Sequence, residues 1–178
     1  FGLIDKNLNV VCDPVFDEIT DFSNGAARYR LNYKWGYVSE KGSMITSNRF
    51  DEASDFTSDK LASVKIGAKW AYVDINGNML TDPLFEEAGD FSDGVASVKK
   101  DGKWGVINTS GKFTINPNYK TIGEFSENLA PVETNGKWGF MNKDGKTVID
   151  PIFDQTSGFS KGVVAVRINN KWGYIDAN

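Results

Sequence analysis

Tryptophan returns at Trp35, Trp70, Trp104, Trp138 and Trp172, an almost constant step, and Phe1 stands one such step before the first. The step is about 34 residues, inside the range of roughly 20–50 that marks stacked supersecondary repeats, each too small to bury its own apolar face. The neighbours repeat too. Lys34, Lys69, Lys103, Lys137 and Lys171 precede the Trp, and Gly36, Ala71, Gly105, Gly139 and Gly173 follow it. The chain therefore reads as one domain over residues 1–178, with five repeats beginning near residues 1, 35, 70, 104 and 138 and a terminal strand over 171–175.

The repeat beginning at Trp104 shows the local grammar. Lys103-Trp104-Gly105-Val106-Ile107 is a short strand, and Asn108-Thr109-Ser110-Gly111 closes a tight turn by an Asx cap and a Gly that accepts positive φ. Lys112-Phe113-Thr114-Ile115 is the next strand, and Pro117 removes an amide from it, so Pro belongs at its end or on an edge. Two ring positions recur after it. The first holds Phe16, Phe50, Phe85, Tyr119 and Phe153; the second holds Phe22, Phe56, Phe91, Phe125 and Phe159. Both are expected to plug the space between adjacent repeats. Val95-Ala96-Ser97-Val98-Lys99 then alternates back through an Asp101-Gly102 hairpin to the next Lys-Trp. Each repeat holds three clear strands and a weaker fourth around the Phe-Asp segment, joined by connections short enough to force antiparallel pairing. No apolar period near 3.6 persists, so the expectation is all-β.

The second repeat is one residue longer, at Ser58-Asp59-Lys60, and carries Asn48-Arg49 at the Pro step. A bulge or distorted loop is expected there. Five full periods leave Lys171–Ile175 without a place in a closed five-membered ring, which favours antiparallel repeats stacked as an open solenoid or superhelix. A small β-propeller, with each repeat a blade, is the alternative.

A K-W-G-[YFV]-[IVM]-x3-G pattern, followed by Pro-x-[FY] and then F-S-x-G, recurs along the whole chain and resembles the bacterial WG (KWG) repeats. The resemblance implies a β-strand module of variable copy number, often in surface-associated or exported bacterial proteins, and it carries over no catalytic or binding residue. An extracellular or cell-surface location is its implication. The segment Trp70–Met79 is also similar to choline- or glucan-binding cell-wall repeats, but those have a much shorter period and more spare aromatics.

Composition narrows the function classes. A formal net charge of −4 argues against a nucleic-acid footprint, which needs a basic stripe. No apolar run reaches the roughly 18–20 residues that span a bilayer, so no membrane insertion is expected. The chain starts within a repeat and without an initiator Met, and so reads as a piece of a longer protein. The absence of His removes Ser-His-Asp, Cys-His and His-ligated zinc chemistry from within the chain. Cys12 falls in register with Thr46, Thr81, Ile115 and Ile149, as a small buried filler.

The remaining candidates are two carboxylate registers and one unusual cluster. Asp17, Asp51, Glu86 and Asp154 form one register, and Asp21, Asp55, Asp90 and Glu124 the other. Stacked carboxylates can bind Ca²⁺, but local pairing with Lys or turn amides is the expectation. Asp74-Ile75-Asn76-Gly77-Asn78 begins like a calcium loop, yet Met79 and Phe85 stand where that loop needs Gly and Glu, so it reads as a turn. Arg28, Tyr29, Arg30 and Tyr33 depart from the Ser, Val and Lys of the other repeats, and Arg and Tyr are enriched at interfaces. They are the candidate partner-binding residues. The expectation is a non-catalytic binding module without cofactor or metal, engaging a protein partner. A cell-wall or surface glycan, or a structural spacer role, is the alternative.

Overall fold

The computed structural model describes residues 1–177 and contains only strands, turns and bends. None of its elements is a helix that could cross a membrane. Two compact units divide the chain, Phe1–Leu84 and Phe85–Asn178.

In the first unit, Leu3–Ile4 (β1) pairs with Val10–Cys12 (β2). Glu18–Ile19 (β3), Ala26–Leu31 (β4) and Lys34–Ser39 (β5) form a second sheet, and Glu52–Ala53 (β6), Leu61–Ile66 (β7) and Lys69–Asp74 (β8) a third. In the second unit, Glu87–Ala88 (β9), Val95–Lys100 (β10), Lys103–Asn108 (β11) and Phe113–Tyr119 (β12) make a four-stranded sheet. Leu129–Thr134 (β13), Lys137–Asn142 (β14) and Thr147–Phe153 (β15) make the next sheet, and Gln155–Thr156 (β16), Val163–Ile168 (β17) and Lys171–Asp176 (β18) the last. Every sheet is an antiparallel meander in chain order, as short connections require. The weak fourth strand is real: it is the two-residue element that opens four of the sheets.

Turn chemistry sets the register. The hairpins before Lys-Trp turn through left-handed residues: Asn32-Tyr33, Gly67, Asp101-Gly102, Asn135-Gly136 and Asn169-Asn170. The Phe-Ser loops turn the same way at Asn24-Gly25, Asp93-Gly94, Glu127-Asn128 and Lys161-Gly162. The longer second repeat replaces that turn by a wider loop in which the Thr57 amide donates to Leu61 O and Lys60 takes a φ of 60°. Pro117 and Pro151 sit within β12 and β15, both edge strands with register shifts, where a missing amide does least harm.

The Gly after Trp has a steric cause. A Cβ on Gly105 would lie 2.6 Å from Ile115 O and 2.8 Å from Pro117 N, and one on Gly139 would lie 2.7 Å from Pro151 N. The Pro step of the edge strand folds back over the Trp strand, and only hydrogen leaves room for it. At Gly36 the obstacle is instead the Tyr29 ring, 2.6 Å away.

Rings join consecutive repeats within each unit. Phe56 packs on Tyr37 with centroids 4.6 Å apart, and Phe159 on Phe140 at 4.9 Å. Phe22 is the exposed member of its register: Leu3 stands where later repeats place Tyr37, Tyr72, Val106 and Phe140, and unlike them it is only partly buried. The polar loops stitch the same joints. Ser126 Oγ donates to Phe159 O at 2.7 Å, Asn24 Nδ2 to Phe56 O at 2.6 Å, and the Asp93 and Glu127 carboxylates accept the Asn128 and Gly162 amides at 2.9 Å. Cys12 is a free, partly buried thiol packed against the Tyr29 cluster.

Candidate partner-binding site

Strand alternation divides the predicted cluster in two. On β4, Arg28 and Arg30 face one side and Tyr29 the other. Tyr29 is 2% exposed, its ring lies 4.6 Å from that of Phe16, and its hydroxyl donates to Thr46 O at 2.9 Å. Burial raises its pKa, with a smaller effect from Cys12. Tyr29 is therefore a core residue held over Gly36, and a partner cannot reach it.

Arg28 is occupied within the fold. Its Nε lies 2.7 Å from Asp55 Oδ1, its Nη1 donates to Ala53 O at 2.6 Å, and its guanidinium carbon sits 5.4 Å from the Trp35 ring centre. It staples β4 to β6 of the next sheet. Arg30 also lies over Trp35, at 5.7 Å, with Nε 3.3 Å from Glu18, and its side chain is 41% exposed. Tyr33 occupies the hairpin tip, 89% exposed, at a φ of 64°. Arg30 and Tyr33 thus form the accessible part of the cluster.

Arg30, Glu18 and Trp35 belong to a pattern that strand register reveals. Each Trp faces a residue on the preceding strand that is itself paired across the sheet: Glu18, Arg30 and Trp35; Glu52, Lys65 and Trp70; Glu87, Lys99 and Trp104. Lys65 bonds Glu52 at 2.5 Å and lies 5.5 Å from the Trp70 ring centre, and Lys99 bonds Glu87 at 2.6 Å. Such surface pairs are screened by solvent and stabilise only weakly. The fourth row inverts: Glu133 faces Trp138 and takes Lys120 at 2.8 Å. Lys120 holds the Glu133 carboxyl below the usual range. The fifth row loses its acid, since Gln155 faces Arg167, whose buried Nε has no hydrogen-bond partner among the described residues. Reading each repeat five residues before its Trp exposes the inversion at Glu133 in the sequence itself.

The first carboxylate register pairs locally, as expected. Asp51 takes Lys34 and the Gly67 amide, Asp154 takes Lys137, Glu86 accepts the Gly102 amide and Asp17 the Asn32 amide. Lys34 and Lys137, by hydrogen bonding, hold Asp51 and Asp154 below the ordinary carboxylate range. In the second register, Asp90 and Glu124 share a groove of about 500 Å³ with Ser92, Ser126 and Pro131. Among the described residues, no three Asp, Glu or Cys side chains converge to hold a metal. Asp74 caps its own turn, accepting the Asn76 and Asn78 amides at 2.9 and 2.8 Å. Asp5 and Asn142 do the same in their turns.

The WG containing repeat matches the chain five times, over residues 1–35, 35–70, 70–104, 104–138 and 138–172. The chain belongs to the WG-repeat family. No curated protein matches it. Among solved structures, this WG-repeat chain is similar to Kluyveromyces lactis Hsv2p, with a TM-score of 0.58 at 14% identity over 93% of this chain and 63% of that one. It is also similar to a eukaryotic initiation factor, with a TM-score of 0.60 at 16% identity over 86% of this chain and 49% of that one. The chain thus spans less than two thirds of the length of these neighbours. Identities this low speak to fold alone. The neighbours are β-propeller-like, in keeping with the blade alternative for these WG repeats, and the all-β tandem architecture is shared by both readings.

Proposed function

We propose that this chain is a non-catalytic interaction module that engages a protein partner through the β4–β5 hairpin, with Tyr33 as the ring contact and Arg30 as its charged neighbour. One observation carries the reading. Tyr33 holds a large, solvent-exposed ring in a left-handed conformation at the position where two other repeats place Gly102 and Gly136. A bulky residue is strained there, and strain at a ring so open to solvent is the signature of a residue kept for something outside the fold.

The surrounding chemistry supports an interaction role over a glycan platform. Most of the Phe rings are buried, and Trp35 and Trp70 carry cationic side chains over their rings, where a sugar would stack. Asp17, Asp51, Asp55, Glu86 and Asp154 are engaged by Lys, Arg and turn amides, which argues against their forming an acid–base pair set apart for catalysis.

Replacing Tyr33 by a photoreactive phenylalanine analogue and irradiating the chain among proteins of its source cell tests the reading. We expect one adduct that the unmodified chain competes away and that Tyr33→Gly or Arg30→Ala chains do not. Equal competition by the Tyr33→Gly chain overturns it.

A further inference from the structure

We propose that the groove between the β10–β11 hairpin and the Pro step of β12 docks an acidic segment of a protein partner, a carboxylate beside an apolar side chain. The groove holds about 410 Å³ and is lined by Lys100, Asp101, Lys103, Phe113, Asn116 and Pro117. All of these belong to one sheet of the second unit and its hairpin, with complete repeats before and after it along the chain.

Departures from the repeat converge on this groove. Lys100 stands where the other repeats place Leu31, Ile66, Thr134 and Ile168, and Phe113 where they place Val10, Met44, Met79 and Thr147. Asn116 stands in the register of Asp13, Asp82 and Asp150, so an acid is absent beside Pro117. Just beyond the groove, Lys120 takes the place of Asp17, Asp51, Glu86 and Asp154. The changes at Lys100, Asn116 and Lys120 all move the charge toward positive, in a chain whose formal net charge is −4, and Phe113 adds a ring.

The last of these changes leaves Lys103 without its acid. The Lys before Trp bonds the acid after the first ring, as Lys34 does with Asp51 and Lys137 with Asp154. For Lys103 the corresponding residue is Lys120, which is drawn to Glu133 at 2.8 Å. Lys100 faces Lys103 directly across the hairpin, and like charges opposite one another on antiparallel strands are destabilising. Two acids lie nearby: Asp101, at a φ of 52° on the hairpin tip, and Glu86, whose carboxylate accepts the Gly102 amide. Among the described residues, neither Lys100 nor Lys103 forms an ion pair with them. The fold gains nothing from bringing these two lysines together, whereas a carboxylate arriving from outside meets both.

The occupant follows from the same chemistry. Inside the chain, a lysine of this register binds an Asp that directly follows a ring, at Phe50-Asp51 and Phe153-Asp154. Phe113 and Pro117 give the groove an apolar wall beside its charges, and Phe113 is set edge-on against Phe85 with centroids 6.2 Å apart. A wall already packed in place lowers the ordering cost of binding. A nucleic acid is disfavoured, because a polyanion extending past the groove meets the negative charge of the rest of the chain. A carboxylate flanked by a ring or an aliphatic side chain satisfies the lysines and the wall together.

The test is an NMR titration of the isotope-labelled chain with a blocked peptide that carries Phe-Asp-Glu between glycines. The expected result is saturable shifts at Lys103, Phe113 and Asn116. The same peptide with Asn and Gln in place of its acids should bind about tenfold more weakly, the scale of one hydrogen bond between charged groups. Lys100→Ile, which installs the side chain of Ile66 and Ile168, and Asn116→Asp, which restores the acid of Asp82 and Asp150, should each weaken the acidic peptide by a similar factor while thermal unfolding stays near that of the native chain. The proposal falls if the acidic peptide moves none of these signals, if the amide peptide binds as well, or if either variant, folded, binds as the native chain does. Inorganic phosphate that saturates the same signals at a lower concentration than the peptide also overturns it, because the lysines would then serve a phosphate group and not a carboxylate.

Discussion

Tyr33→Gly should make this protein more stable while making it a poorer binder. In the folded chain Tyr33 sits at a φ of 64° and buries almost none of its ring. A side chain with a Cβ in that region costs about 1–2 kcal/mol relative to its preferred backbone. Glycine relieves the strain but gives the unfolded chain more freedom, which offsets about 0.5–1 kcal/mol of the gain. The net is a stabilisation of roughly 0.5–1 kcal/mol, or about 1–4 °C in Tm for a chain of this size. Tyr33→Ala is the control, since it removes the ring and keeps the Cβ, so its Tm should stay near that of the native chain. Calorimetry on the three chains gives the stability term, and competition in the photocrosslinking experiment gives the binding term. Tyr33→Gly with a lower Tm would refute the strain argument, because the ring would then be holding the fold. A Tyr33→Ala chain that competes as well as native would refute the assignment of the ring to a partner.

The joints between repeats give larger effects. Phe140→Ala, which removes a fully buried ring packed edge-to-face with Phe159, should cost about 3–5 kcal/mol in urea unfolding. Gly139→Val should destabilise by about 1–3 kcal/mol or more because its Cβ meets the Ile149 and Pro151 backbone, while Gly173→Val should change stability by less than about 0.5 kcal/mol. The folded pKa values of Asp51, Asp154 and Glu133 lie below their unfolded ones through Lys34, Lys137 and Lys120. Their contribution is therefore full above the unfolded carboxyl range, near pH 4, and is lost as pH falls through the lower folded values, so Asp51→Asn should flatten the acid limb of Tm against pH. Lys99 is raised by Glu87, so its contribution holds below the ordinary lysine range and fades as pH rises through the higher folded value; Glu87→Gln should flatten the alkaline limb.

The fold is legible in the sequence because its determinants are local and repeated. Gly, Asn and Asp at the turns, Pro at the edge strands and the two ring registers all act over short stretches of chain, and each recurs in nearly every repeat. The site is legible only in part, because side-chain facing depends on cross-strand register. Tyr29 and Arg30 are adjacent in sequence, yet the pairing of Tyr29 with Gly36 and of Arg30 with Trp35 sends one into the core and leaves the other outside. Alternation along Arg28-Tyr29-Arg30 carries that signal, and composition, which marks the cluster as unusual, does not. The Glu-Lys-Trp rows are hidden for a different reason. Their members come from three strands well separated along the chain, and only the meander brings them into line.

Those rows also explain where an address can be written on a repetitive surface. A row of Glu, Lys and Trp that recurs from sheet to sheet gives a partner no means of choosing one sheet over another. Its exceptions do: Glu133 with Lys120 reverses the dipole of the row, Gln155 leaves Arg167 without an acid across the sheet, and Arg28 joins Arg30 over Trp35. Any partner that discriminates along the array must read these departures or the Tyr33 tip.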